Sequence, residues 1–233
     1  MASSDLASIG DGTIVEEDVC VGWRYHSKAG PTRIGKNGIL RKGTIIYGDV
    51  DIGDYFQSGH YVVIRAKIRI GNYCAILNHS VLEGLIRCGD GVRIMSHVYV
   101  PSRTWFGDRV FVGPNVTFLN DRFPARVDDV PYPTPQGATV EDDVMIGGGC
   151  TVLPGIRIGE RSFIAAGSVV TKDVPPRSFV VGAPGRIQPL PAGLDRPNCR
   201  AVTIQPIDLW HPATPDLASL DWPPRWNERF RNE

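Results

Sequence analysis

Apolar residues recur along this chain at every sixth position. From Ile34 the leads run Ile34, Leu40, Ile46, Ile52, Ser58, Ile64, Ile70, Ile76, Leu82, Cys88, Ile94, Val100, Phe106, Val112 and Phe118, with Ser58 the one polar member. The period resumes from Val140 through Ile146, Val152, Ile158 and Ile164 to Val170, and Ile9, Val15 and Val21 begin it near the N-terminus. Six residues fit neither the 3.6 of a helix nor the simple alternation of a strand. A longer period lies within it, because glycine follows the lead at Gly35, Gly53, Gly71, Gly89 and Gly107, always 18 residues apart. Three hexads therefore close one turn. Small, β-branched or apolar residues four positions after a lead, such as Thr44, Val62, Cys74 and Val92, give each flat side two inward side chains. The pattern predicts an all-β, triangular solenoid whose coils stack at about 4.8 Å, with the glycines relieving corners where φ is positive.

The period divides the chain. Residues 1–33 read as N-terminal capping coils, 34–188 as the solenoid and 189–233 as a proline-containing C-terminal extension with Trp210, Trp222 and Trp226. One long excursion, residues 119–139, interrupts the repeat. Solenoids place function in such excursions, and Asn120-Asp121 stand at its start.

Composition narrows the function. Lys+Arg 25 against Asp+Glu 25 leaves a formal charge of zero, which argues against nucleic acid or an anionic membrane as partner. The longest stretch free of charge and histidine, Val144 to Ile156, is too short to span a bilayer, and the first residues lack a signal segment, so a cytoplasmic location is expected. Five cysteines form no C-x-x-C pair, and Cys74, Cys88 and Cys150 occupy inward positions, which points to packing rather than to a disulfide framework or a thiolate zinc site.

Two features carry chemistry. His79 and His97 lie 18 apart, three positions after a lead, so they stack on adjacent coils and point outward, with Asn115 continuing the column and His60 above Asn78 one residue away. Imidazole titrates near neutrality and suits a general base. Provided the excursion replaces no side of a coil, the column runs on into Gly149, Gly167 and Gly185. Gly147-Gly148-Gly149 and Ala165-Ala166-Gly167, with Ala183-Pro184-Gly185 expected as a third row, form a shelf almost without side chains. An extended pantetheine arm with two amides fits such a shelf.

With these residues the chain resembles the hexapeptide-repeat acyltransferases of the left-handed parallel β-helix fold over about residues 9–188. Val112-Gly-Pro-Asn-Val-Thr-Phe-Leu-Asn-Asp-Arg-Phe-Pro124 is similar to the segment that opens the active-site loop of nucleotide-amino-sugar N-acetyltransferases, and Ala165 to Pro176 to the terminal coils of coenzyme-A-dependent members. The resemblance implies a homotrimer using acetyl-CoA as co-substrate and no metal, with the amine of a nucleotide-linked amino sugar as acceptor. His97 is the first candidate for the base, with His79 or His60 as alternatives. Asn120 is expected to hold the amine, Asp121 to orient it or the loop, and Asn78 and Asn115 to border the acceptor. Gly148, Gly149, Ala165, Ala166 and Gly167 would carry the donor, and Lys172, Arg177 or Arg186 its phosphates. Two other readings stay open, an O-acyltransferase on a small alcohol or antibiotic and a non-catalytic scaffold. The histidine spacing does not fit the zinc-binding branch of related solenoids.

Overall fold

A computed structural model describes residues 5–125 and 134–198. The chain winds into a left-handed parallel β-helix of three flat faces, called here A, B and C in the order the chain visits them, with eight, ten and eight strands. Most strands are two or three residues long, and all pairings are parallel until the last. Each lead faces its successor one coil on, as in Ile76 with Ile94 and Ile94 with Val112. The leads and the residues four positions after them fill the prism, Ile64, Val92, Ile94, Phe118 and Ile146 among them. Ser58 fits because its hydroxyl meets Thr44 Oγ1 at 2.9 Å inside the core.

The glycine after the face A leads from Ile34 to Phe106 has a different cause from the one expected. Left-handed φ falls two residues later, on Asn37, Tyr55, Tyr73, Gly91 and Arg109, most of them not glycine. A Cβ at Gly35, Gly53, Gly71, Gly89 or Gly107 would instead lie within 3 Å of the next coil's backbone and of an Asp or Asn Oδ1. Those oxygens form a ladder down the A/B edge: Asp54, Asn72, Asp90, Asp108 and Asp142 each accept the backbone N–H of the residue one coil before. Close coil approach, not turn geometry, selects glycine there.

At the N-terminal end, Ala7–Ile9, Ile14–Val15 and Cys20–Trp23 make a full coil on the strands that follow. Its residues Ile14 and Val15 remain exposed. At the other end Ser178–Val181 pairs with Phe163 and Ile164, and the chain then reverses at Gly182 into an antiparallel strand, Arg186–Pro189. The segment after it folds back to the A/B edge, where Asn198 donates its backbone N–H to Asp143 and its side-chain amide to the Arg109 and Val144 carbonyls.

The excursion leaves face C after Phe118 and returns to face A at Thr139, so it replaces no side of a coil. Its base is closed by Gln136 N–H donating to Asn120 O at 2.8 Å. Residues 126–133 and the three extension tryptophans lie outside the described residues.

Candidate functional site: one edge of the prism

The B/C edge carries the predicted histidines. Tyr61, His79, His97, Asn115, Gly149 and Gly167 occupy successive copies of the third turn position, all with positive φ and all exposed. Their backbone N–H groups lock the register: His79 to His60 O, His97 to Asn78 O, Asn115 to Ser96 O, Gly149 to Pro114 O and Gly167 to Gly148 O. The column thus runs unbroken from the histidines into the glycines. His79 and His97 are stacked at 5.1 Å between ring centroids and 13°, and Tyr61 stacks on His79 at 5.3 Å and 11°. Tyr61 was missed at the sequence level, although it stands 18 residues before His79. The three rings brace one another, and neither imidazole has a hydrogen-bond partner among the described residues.

One position earlier in the turn come His60, Asn78, Ser96, Pro114, Gly148 and Ala166. His60 N–H is accepted by Asn78 Oδ1 at 2.8 Å, as in the ladder of the A/B edge. After Asn78 that ladder stops. Pro114 has no N–H to satisfy, and the N–H groups of Gly148 and Ala166 have no acceptor among the described residues. A Cβ placed at Gly149 or Gly167 meets nothing within 4 Å, so the surface beside these groups is open. The edge therefore offers unpaired donors on a strip without bulk, about two strand spacings, roughly 10 Å, from His97.

The third row of the shelf differs from expectation. Val180 faces Ile164 where the expected row requires Gly182, so Gly182 continues the row of Ala166, and Gly185 lies beyond the reversal with its N–H on Val169 O. The three candidate phosphate-binding cations are also separated. Arg186 adjoins Gly182 at the end of the shelf, a Cβ there lying 3.8 Å from its guanidinium. Lys172 stands at the C/A edge and Arg177 at the A/B edge, where it pairs with Asp195 at 3.3 Å. Neither of these two borders the shelf in the same chain, because the winding carries Lys172 one corner on and Arg177 two.

Asn120 and Asp121 lie at the C/A edge. Asn120 Nδ2 donates to Ser102 Oγ at 3.1 Å, and Asp121 Oδ1 caps the start of the excursion by accepting Phe123 N–H. In one chain they are a full face away from His97, roughly 16 Å at ordinary strand rise. Cys74 and Cys88 are chemically quiet: burial pushes the Cys74 thiol up to about 12 and Cys88 well above its ordinary value.

The two coils that bear the shelf match a known family. Residues 137–172 fit the bacterial transferase hexapeptide, six repeats. Among curated relatives, galactoside O-acetyltransferase of Escherichia coli is 39% identical over 85 residues, 35% of this chain and 41% of that protein. The 2,3,4,5-tetrahydropyridine-2,6-dicarboxylate N-acetyltransferase of Brevibacillus brevis is 47% identical over 55 residues, 24% of this chain and 23% of its own. The chain spans about two fifths of the length of the first curated relatives it matches. In fold it is similar to the Arabidopsis UDP-N-acetylglucosamine acyltransferase, with a TM-score of 0.58 at 22% identity over 80% of this chain and 71% of the other.

Proposed function

We propose that this protein is an acetyl-CoA-dependent N-acetyltransferase that acylates the amine of a nucleotide-linked amino sugar, working as a cytoplasmic homotrimer. The observation that carries the reading is the B/C edge, where a histidine column continues into a bare strip with free N–H donors. The donor's pantetheine arm lies along Gly148, Gly149, Ala165, Ala166 and Gly167, with Arg186 at its phosphate end. The acceptor nitrogen attacks the thioester carbonyl, the C–N bond forms, and the charge on oxygen is met by N–H donors of the kind Gly148 and Ala166 present. Collapse breaks the C–S bond and the amine proton passes to His97 or to the departing thiolate. Asn120 and Asp121 hold the acceptor from a second copy of the chain, since one chain keeps them a face away from His97. The outward side chains Val63, Val81 and Tyr99 stand in one row on face C and supply apolar contact area for that copy.

The coil match to galactoside O-acetyltransferase favours one second reading, acetyl transfer to a sugar hydroxyl on the same shelf. The test is acetyl transfer to paired amino and hydroxy sugars, free and nucleotide-linked, with purified protein. Amide product from the amino sugar supports the proposal. Ester product alone replaces it with the second reading, and absence of both product and coenzyme A binding ends both.

A further inference from the structure

The outer surface of face A carries a charge pattern that the B/C edge does not use. Arg33, Asp51, Arg69, Arg87 and Trp105 stand in register on successive strands. Beside them, at the C/A edge, Lys67, Leu85 and Arg103 form a second row, held by Lys67 N–H on Asp49 O and Arg103 N–H on Leu85 O. The two rows wall a cleft of about 520 Å³.

Charge is distributed unevenly along it. Asp51 takes Arg33 at 3.0 Å and Arg69 at 3.8 Å, and Asp49 is occupied by Tyr25 Oη and Gly30 N–H. Lys67, Arg87 and Arg103 have no ion-pair partner among the described residues. Arg69 faces Arg87 directly, an arrangement that costs stability unless an anion offsets it. Trp105, next to Arg87, is 46% exposed and presents an aromatic surface. Cations in both rows with an indole at the end of one match a phosphorylated compound with a planar ring: forks and ammonium for the phosphates, the indole for the ring. The cleft also leads to the acceptor corner, because Arg103 follows Ser102, whose hydroxyl accepts from Asn120.

We propose that this cleft binds the nucleoside diphosphate of the acceptor, its phosphates on Lys67, Arg87 and Arg103 and its base against Trp105, with the sugar directed to Asn120. This rests on the acetyltransferase reading above and adds where the nucleotide sits. Coenzyme A carries the same chemistry, a nucleotide with phosphates, so the experiment must separate donor from acceptor. Calorimetric titration of the full chain with UDP, dTDP, inorganic pyrophosphate and 3′,5′-ADP measures this, alongside acetyl-CoA affinity. The proposal expects UDP or dTDP to bind, competitively with pyrophosphate and more weakly as salt rises. Arg87→Ala with Arg103→Ala should weaken nucleotide binding at least about tenfold, and Trp105→Ala several-fold, with acetyl-CoA affinity unchanged. Arg157→Ala, further along face A and paired with Glu141, should change nothing. Nucleotide binding unaltered in the double variant would overturn the assignment, as would loss of 3′,5′-ADP and acetyl-CoA binding in its place, which would make the cleft a donor site. No nucleotide binding beside intact acetyl-CoA binding would refute this inference alone. Loss of acetyl-CoA binding by the wild-type chain would instead refute the acetyltransferase reading beneath it.

Discussion

The A/B and B/C edges are the same turn built from the same hexad, yet they end in opposite states. Down the A/B edge, Asp and Asn side chains from Asp54 to Asp142 take up the turn N–H groups coil after coil, and glycine makes room for them. Down the B/C edge the ladder has one clear rung, His60 to Asn78, and is then replaced by Ser96, Pro114, Gly148 and Ala166. A satisfied edge is a structural seam. An edge that leaves N–H donors without an acceptor among the described residues, in line with two stacked imidazoles, forgoes local stabilisation in a way that suits a ligand.

Substitutions can break this contrast. His97→Ala should lower kcat/KM by about 10²–10⁴ if its imidazole takes the amine proton, whereas Tyr73→Ala, stacked on Tyr55 at the A/B edge, should leave it near wild type. Equal effects in steady-state assays would erase the distinction between the edges. A smaller effect is expected at the shelf. Ala166→Phe should raise KM for acetyl-CoA by about tenfold or more with little change in the circular dichroism spectrum, because Ala166 is exposed.

The A/B edge should respond the other way. Asp90→Ala removes the acceptor of Asn72 N–H, so it should cost about 1 kcal/mol in denaturant melts and leave kcat untouched. The smallest effect concerns Asp143. Burial works against its charge, yet the bidentate Arg109 guanidinium, Asn198 N–H and Arg161 together hold its carboxyl below the ordinary range. A lowered folded pKa means stabilisation that is complete above the ordinary carboxylate pKa and lost as pH falls through the lowered value. The protection of the Asn198 amide against hydrogen exchange, taken relative to the intrinsic rate at each pH, should therefore fall below about pH 4 and hold steady between pH 5 and 8.

The solenoid could be read from the chain because the hexad writes each coil's inward positions directly into sequence spacing. The histidine column and its continuation into Gly149 and Gly167 were legible for the same reason. Spacing failed where the winding ended: Gly182 reverses the strand, so the row expected to end at Gly185 is displaced. It also failed for Lys172 and Arg177, since a basic residue read without its place in the coil cannot be assigned to a corner. The face A cleft escaped notice although its residues stand 18 apart, because outward positions carry no apolar signature. Glycine after the lead was found for the wrong cause, as sequence shows the residue but not the carboxylate that crosses it.

In the proposed enzyme the site joins the B/C edge of one copy to the Asn120 corner of another, a junction that subunit complementation can detect. His97→Ala and Asn120→Ala, the latter expected to lose about tenfold to a hundredfold in kcat/KM, are unfolded together, refolded as mixed trimers and assayed beside each parent. In a three-fold ring every mixed trimer holds one junction with both residues intact, so an equal mixture should recover about a quarter of wild-type activity. Mixed trimers, verified by differential tagging, that show no more than the average of the two parents would contradict the shared site.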